Sequence, residues 1–298
     1  MFEKKGRTLL AKRKKSLGAI DTRRTKKSRE MEGHSLLRFG PPSNAAESTS
    51  ELWNELGPVD GDGDCGEKGF ILSQDFFWRK AMMEVQALAA LGFHENVVGY
   101  YNSWFENEQL YIQLELCDHS LSKKSSLKIS EREILVIMHQ IAKALHFVHE
   151  KGIAHLDVKP DNIYIKNGVC KLGDFGCATR LDKSLPVEEG DARYMPQEIL
   201  NENYEQLDKV DIFSLGVTVY ELIRGSPLME SRNQSLNIKE GKLPLLPGHS
   251  LQLQQLLRTM MDRDPTLRPS AREVMEHPMF DRIQPYEAWL CNWYKEGD

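Results

Sequence analysis

Two short polar segments, HLDVKPDN from His155 to Asn162 and DFG from Asp174 to Gly176, flank a run that can only be read as a tight hairpin. The run is a strand Ile163-Tyr164-Ile165, a turn Asn167-Gly168 and a strand Val169-Cys170-Lys171-Leu172, and Asn-Gly between two apolar runs is a strong hairpin signal. Hairpin strands are antiparallel, so the residue that enters the first strand and the residue that follows the second lie at the same end. Asn162 and Asp174 are thereby brought together. Two hard oxygen donors with few other protein ligands suit a magnesium ion carried in with a phosphate. Asp157, five residues before Asn162, is placed to accept a hydroxyl proton, and Lys159 offers a mobile positive charge to a transferring phosphate. The spacing H-x-D-x-x-x-x-N followed by Asp-Phe-Gly therefore points to phosphoryl transfer rather than to a surface hairpin with incidental acids.

The elements around this pair are legible too. Ser130 opens SEREILVIMHQIAKALHFVHEKG, with Glu133 completing a capping box, apolar residues Ile134, Ile137, Ile141, Leu145 and Val148 at helical spacing, and Gly152 as terminator. Further helices are expected near Asp211 to Arg224, Ser250 to Met261 and Ser270 to Met275, the last with Ser270 and Glu273 as its cap. Two strands are expected around Val97 to Phe105 and Leu110 to Glu115.

The net charge of -5 hides two opposite tails. Residues 1 to 30 hold twelve Lys or Arg against three acids, whereas residues 31 to 78 hold nine acids against two bases. The basic clusters KRKK (Lys12 to Lys15) and RRTKK (Arg23 to Lys27) read as nuclear import signals within a solvated leader. Nucleic-acid binding through them is disfavoured, because no aromatic residues alternate with the bases. The five cysteines are scattered without metal-ligand spacing, and no stretch is apolar enough for a membrane span. A nuclear, monomeric protein without a membrane partner is expected.

Residues 61 to 66, GDGDCG, match G-x-G-x-x-G literally, yet Asp60, Asp62, Asp64 and Glu67 would repel phosphate. As a calcium loop from Asp60 the same segment has Cys65 where the turn glycine belongs and Ile71 where the bidentate glutamate belongs. Residues 1 to 78 are accordingly expected to form a disordered leader.

With those motifs in hand, the chain resembles a eukaryotic protein kinase from about Arg79 to Ile283. Within that superfamily, EGDARYMPQE (Glu189 to Glu198), VVGYYNSWFENEQLYIQLELC and HLDVKPDN are similar to the Wee family of inhibitory cell-cycle kinases, the plant members above all. The resemblance implies an α+β, kinase-like fold with a mainly helical large lobe (119 to 283) and a partial small lobe (79 to 118). By the same resemblance Asp157 is the catalytic base, Asn162 and Asp174 hold Mg2+, and Phe175 packs beneath the helix that carries Glu84. Tyr164 floors the adenine pocket, Leu114 is the gatekeeper, and Glu115 to Cys117 offer backbone groups to ATP. Glu198 pairs with Arg268, and Asp211 anchors the catalytic loop. The implied protein substrate is a cyclin-dependent kinase, phosphorylated on tyrosine. That acceptor follows from the resemblance alone, since Lys159 by itself suggests Ser/Thr specificity. Leu156 stands where many kinases carry an arginine that clamps a phosphate, so activity is expected not to await phosphorylation between Asp174 and Glu198.

One part of the pattern is missing. Three strands ahead of the Glu84 helix, with a glycine-rich loop and a lysine that pairs with the glutamate, need on the order of 30 residues. The span before Trp78 and Arg79 contains neither a Gly-rich turn nor a V-A-x-K pattern, and the sequence reads as an abrupt join there. Lys80, four residues before Glu84 on the same helix, is expected to form a surface pair with it. The small lobe is therefore expected to hold one helix and about two strands. A non-catalytic module that engages cyclin-dependent kinases or their regulators is the competing reading, and the tail YEAWLCNWYKEGD fits no expectation for the family's end.

Overall fold

The computed structural model describes residues 34–39, 68–106, 109–124, 129–226 and 237–282. The GDGDCG segment, the basic clusters and the tail after Arg282 lie outside the described residues.

The large lobe is organised by two helices. Helix α2 (Glu131–Glu150) starts at the Ser130–Glu133 capping box read from the sequence and buries Ile134, Ile137, Ile141, Leu145 and Val148 on one stripe. Helix α4 (Leu207–Arg224) has an almost unbroken buried run from Val210 to Leu222, and it ends at Gly225 in the left-handed conformation, φ +62°. A helix buried nearly all round belongs at the centre of a domain. Helix α5 (Leu251–Met260) is capped by the Ser250 side chain, and the short α6 (Ala271–Met275) by Ser270 with Glu273. Gly216 is fixed by packing: a Cβ there would lie 2.6 Å from Met261 Cγ.

Arg268, 2% exposed, holds the base of this lobe together. Its Nη1 and Nη2 donate to Glu198 Oε1 (2.5 Å) and Oε2 (3.1 Å), its Nε to the Asp262 carbonyl (2.8 Å), and its guanidinium lies 4.8 Å over the Phe213 ring. Glu198 belongs to the helical turn α3 (Gln197–Leu200), which closes the segment running from Asp174.

The smaller lobe is built on helix α1 (Lys68–Leu91) and a three-stranded antiparallel sheet. Ala81, Val85 and Leu88 of α1 are buried at helical spacing, and the helix stops at Gly92, φ +72°. Strand β3 (Gln109–Glu115) alternates as its sequence demands, with Leu110, Ile112 and Leu114 buried. It pairs on one side with β2 (Tyr100–Glu106) and on the other with β1 (His34–Phe39), in the order β1-β3-β2. The rings of Trp78 on α1 and Phe105 on β2 meet at 5.4 Å.

One expectation is corrected here. The span to residue 78 is not wholly leader: HSLLRF forms a strand in register with β3, His34 opposite Glu115 and Phe39 opposite Leu110, so the sheet has three strands rather than two. The physical reason is the free edge of β3, whose unpaired N–H and C=O groups are a template for any nearby extended segment. Helix α1 begins at Lys68 and runs through Trp78 and Arg79 without a break.

The lobes meet along the hairpin. Strands β6 (Ile163–Lys166) and β7 (Val169–Leu172) turn at Asn167 and Gly168, both at positive φ, and β4 (His119–Ser120) adds to β6. Ahead of β2 the chain crosses to β7: Val98 N donates to Leu172 O (2.9 Å), and Leu172 N to Asn96 O (2.8 Å). A third, two-stranded sheet pairs β5 (Ile153–Ala154) with β8 (Thr179–Arg180).

Removing the first 40 residues is expected to uncover the β3 edge, lower the melting temperature and promote association, read by circular dichroism and light scattering; unchanged values would show that β1 does not support the sheet. Glu198→Gln strands a buried guanidinium, and a loss of about 3–5 kcal/mol in urea unfolding is expected.

Candidate active site

The loop after β5 is held from beneath by one carboxylate. Asp211, fully buried on α4, accepts at Oδ2 from His155 N (2.8 Å) and at Oδ1 from Leu156 N (2.8 Å), with His149 Nε2 also 2.8 Å from Oδ2. These bonds keep Leu156 at φ +60°, a conformation that L side chains rarely adopt, while its side chain packs in a small apolar cluster with Met195 and Val210. The His155 ring sits edge-on to Phe175 at 4.7 Å. Asp157 N donates to His155 Nδ1 (3.2 Å), so the ring's proton is on Nε2, which lies 3.1 Å from Gly173 O as its donor. His155 thus joins the Asp157 loop to the residue before Asp174.

Asp157 emerges from this loop 9% exposed. Its Oδ2 accepts from Lys159 Nζ (2.6 Å) and Asn162 Nδ2 (3.0 Å), and its Oδ1 from Asp191 N (2.8 Å). Asn162 Nδ2 also donates to Asp157 O (2.8 Å), which commits the amide nitrogen to the loop and leaves the amide oxygen as the end for a cation. Ile163 is opposite Leu172 and Gly173 N donates to Asn162 O (2.9 Å), so Asn162 and Asp174 do share the same end of the hairpin. Asp174 is at φ +60° and accepts weakly from Gly176 N (3.4 Å).

Glu84 reaches this end from α1. It is 5% exposed, and its carboxyl is pushed up to about 8 by burial first and by the Asp174 carboxylate second, with the Phe175 N–H pulling the other way. Among the described residues no Lys or Arg forms an ion pair with it. The expected surface pair with Lys80 is corrected: Glu84 is buried, and Lys80 Nζ donates to Cys177 Sγ at 2.8 Å. Helical spacing places two residues on neighbouring positions, but Glu84 is buried beside the Phe175 N–H while Lys80 reaches Cys177, just after the Asp-Phe-Gly motif. The Cys177 thiol, buried beside Asp157, is pushed up to about 11, burial being the larger cause.

The remaining predicted residues line the junction between the lobes. Tyr164 on β6 packs on Gly173, where a Cβ would lie 2.7 Å from Val98 Cγ2 and 3.0 Å from the Tyr164 ring. Burial, and then the Asp174 charge, hold the Tyr164 phenol well above its usual range. Leu114 is buried, and Cys117 is half-buried with a thiol pushed up to about 11 by burial and the Glu115 charge. Glu115 has a role that sequence reasoning did not see. Its carboxylate binds Lys166 (3.2 Å), Lys171 (3.1 Å) and Gly99 N (3.0 Å), fastening β3 to the hairpin. Burial alone would raise that carboxyl, but the Gly99 amide and the two ammoniums more than offset it and hold it low. No local signal announces such a clasp, because its two lysine partners are some fifty residues further on. The EGDARYMPQE motif, by contrast, was visible as a likeness without a geometric meaning.

The donor set fits a divalent cation that arrives with phosphate: one amide and one carboxylate oxygen at one end of a hairpin, with the buried Glu84 carboxyl beside Asp174 and no ammonium paired to it among the described residues. Among the described residues no three His, Cys, Asp or Glu side chains converge into a self-sufficient metal cage, and no helix is long and apolar enough to cross a membrane.

A two-lobed fold, a carboxylate on a loop anchored by a buried aspartate, and an Asn/Asp pair at a hairpin's end are the features of a protein kinase. Residues 70–280 match the protein kinase domain, and the chain belongs to that family. It is similar to the Wee1-like protein kinase of Arabidopsis thaliana, 92% identical over 209 residues that cover 69% of this chain and 42% of the relative. The rice Wee1-like protein kinase is 61% identical over 210 residues, 70% of this chain and 40% of the relative. A membrane-associated tyrosine- and threonine-specific cdc2-inhibitory kinase of Caenorhabditis elegans, wee-1.3, is 37% identical over 197 residues, 63% of this chain and 29% of the relative. The chain therefore spans less than half the length of these curated relatives.

The Glu84 shift has a consequence for stability. A carboxyl whose folded pKa lies above its unfolded value contributes stability below about 4.5, and that contribution is lost as pH rises through about 8. In chelator-treated buffer, Glu84→Gln is expected to match the parent's melting temperature near pH 4.5 and exceed it at pH 8.5; parallel melting curves at all pH values would contradict this.

Proposed function

We propose that this chain is a Wee-like protein kinase that transfers the γ-phosphate of ATP to a protein hydroxyl, the acceptor being a tyrosine of a cyclin-dependent kinase in cell-cycle control. The observation that carries the reading is the Asp157 carboxylate, fixed on both oxygens next to Asn162 and Asp174. Magnesium, when bound, supplies neutralisation of charge on the transferring phosphoryl group. Asn162 and Asp174 would hold it. Asp157 accepts the proton of the incoming hydroxyl, and Lys159, 2.6 Å from Asp157 Oδ2, carries positive charge to where the phosphate passes. Leu114, Tyr164 and the chain from Glu115 to Cys117 border the space for adenine at the lobe junction. The tyrosine acceptor is supported by the similarity to Wee1-like kinases and to wee-1.3, a tyrosine- and threonine-specific kinase.

A second reading has its own observation. Glu84 is buried without an ammonium partner among the described residues, so this part of the phosphate site lacks the cation that catalysis by electrostatic stabilisation would use. A chain of this kind would engage a cyclin-dependent kinase without modifying it.

The deciding experiment is Mg-ATP-dependent phosphorylation of a purified cyclin-dependent kinase, with Asp157→Asn as control and circular dichroism to confirm folding. Phosphotyrosine that falls by about 10²–10⁴-fold in the control is expected. A folded parent that binds the cyclin-dependent kinase and transfers nothing would establish the second reading instead.

A further inference from the structure

The base itself is oriented by a residue that the catalytic motifs do not contain. An ionised carboxylate has about four lone-pair sites. On Asp157, two at Oδ2 are taken by Lys159 Nζ and Asn162 Nδ2, and one at Oδ1 is taken by the backbone N–H of Asp191. One site remains, on Oδ1.

The approach of residue 191 depends on its neighbour. A Cβ on Gly190 would lie 2.3 Å from the Leu156 carbonyl oxygen and 2.6 Å from Asp157 Oδ1, inside any permitted contact. Both partners belong to the anchored loop and have no room to yield, so only glycine lets the segment rest on the base. The turn that follows is locked by its own side chains. Asp191 Oδ1 accepts from Arg193 N (3.1 Å) and Nε (3.0 Å), and Oδ2 from Arg193 Nη2 (2.6 Å). Burial alone would raise the Asp191 carboxyl, but the Arg193 bonds prevail and keep it low, so the pair stays charged. Tyr194 N donates to Asp191 O (2.9 Å), and the Tyr194 hydroxyl donates to buried Glu221 (2.6 Å). Ser214 Oγ donates to Tyr194 O (3.0 Å). Glu221 and Ser214 lie on α4, the helix whose Asp211 holds the loop from the other side. A single helix thus grips the base through two arms.

We propose that Asp191 is a positioning residue for the proton-accepting step: its amide, delivered by Gly190 and locked by Arg193, orients Asp157 so that the open lone pair of Oδ1 meets the substrate hydroxyl. This rests on the kinase reading. It assigns to the Asp191–Arg193 pair, within the chain, the ordering of the segment that no arginine at position 156 can provide through a phosphate.

The test uses the full chain and two readouts. Hydrogen exchange resolved to single amides should show residue 191 protected in the parent and released in Asp157→Ala, with the Tyr194 amide still protected; equal exchange at 191 in both proteins overturns the latch. In the transfer assay, Arg193→Ala is expected to lower kcat about tenfold, the effect of one ordinary hydrogen bond, with KM for ATP unchanged. Arg193→Lys should recover part of the loss. An Arg193→Ala protein with undiminished kcat and an unchanged melting temperature overturns the positioning role. A parent that transfers nothing while its 191 amide stays protected, and is released in Asp157→Ala, sinks the kinase reading but supports the latch.

Discussion

The buried carboxylate of Asp211 is the constraint on which the rest of the site depends. A charge without exposure is tolerable only if hydrogen bonds replace its water, and Asp211 obtains them from His155 N, Leu156 N and His149. In taking those donors it fixes the backbone of the loop, including the left-handed turn at Leu156. From there the order propagates: His155 meets Phe175 and Gly173, Asp157 projects toward Asn162, and the hairpin delivers Asp174. Removal of that one carboxylate would leave two buried N–H groups orphaned and the Leu156 conformation unsupported.

The electrostatics divide the site into a balanced and an unbalanced half. Around Asp157, negative charge is met by Lys159, and the neighbouring Asp191 is met by Arg193. Around Asp174 and Glu84 it is not, and burial forces Glu84 toward its neutral form. On the proposed reading the balanced half holds the proton acceptor, and the unbalanced half receives a phosphate whose charge depends on a cation brought from outside. Both functional readings draw on that asymmetry, and they differ only in whether the incoming cation suffices.

Much of this was legible in the sequence, for reasons that differ by element. The large-lobe helices announce themselves by caps and apolar stripes, as at Ser130 and Ser270, because both signals are local. The meeting of Asn162 and Asp174 follows from hairpin geometry, which is also local. What escaped was set by tertiary competition. HSLLRF is too short a run to stand out within a polar stretch, and it becomes a strand only because β3 offers an edge. Lys80 and Glu84 have the spacing of a surface pair, yet each is drawn to a different buried partner. The Glu115 clasp and the Gly190 approach require knowing which distant segments touch.

Strand β1 lies far from its partner along the chain, with the whole of α1 and β2 in between. On a ribosome adding roughly 5–20 residues per second, β1 leaves the tunnel several seconds before β3 exists to receive it. Completion of the small-lobe sheet is thus a long-range closure, and the segment that seals its edge is the one with the longest opportunity to be captured by another chain.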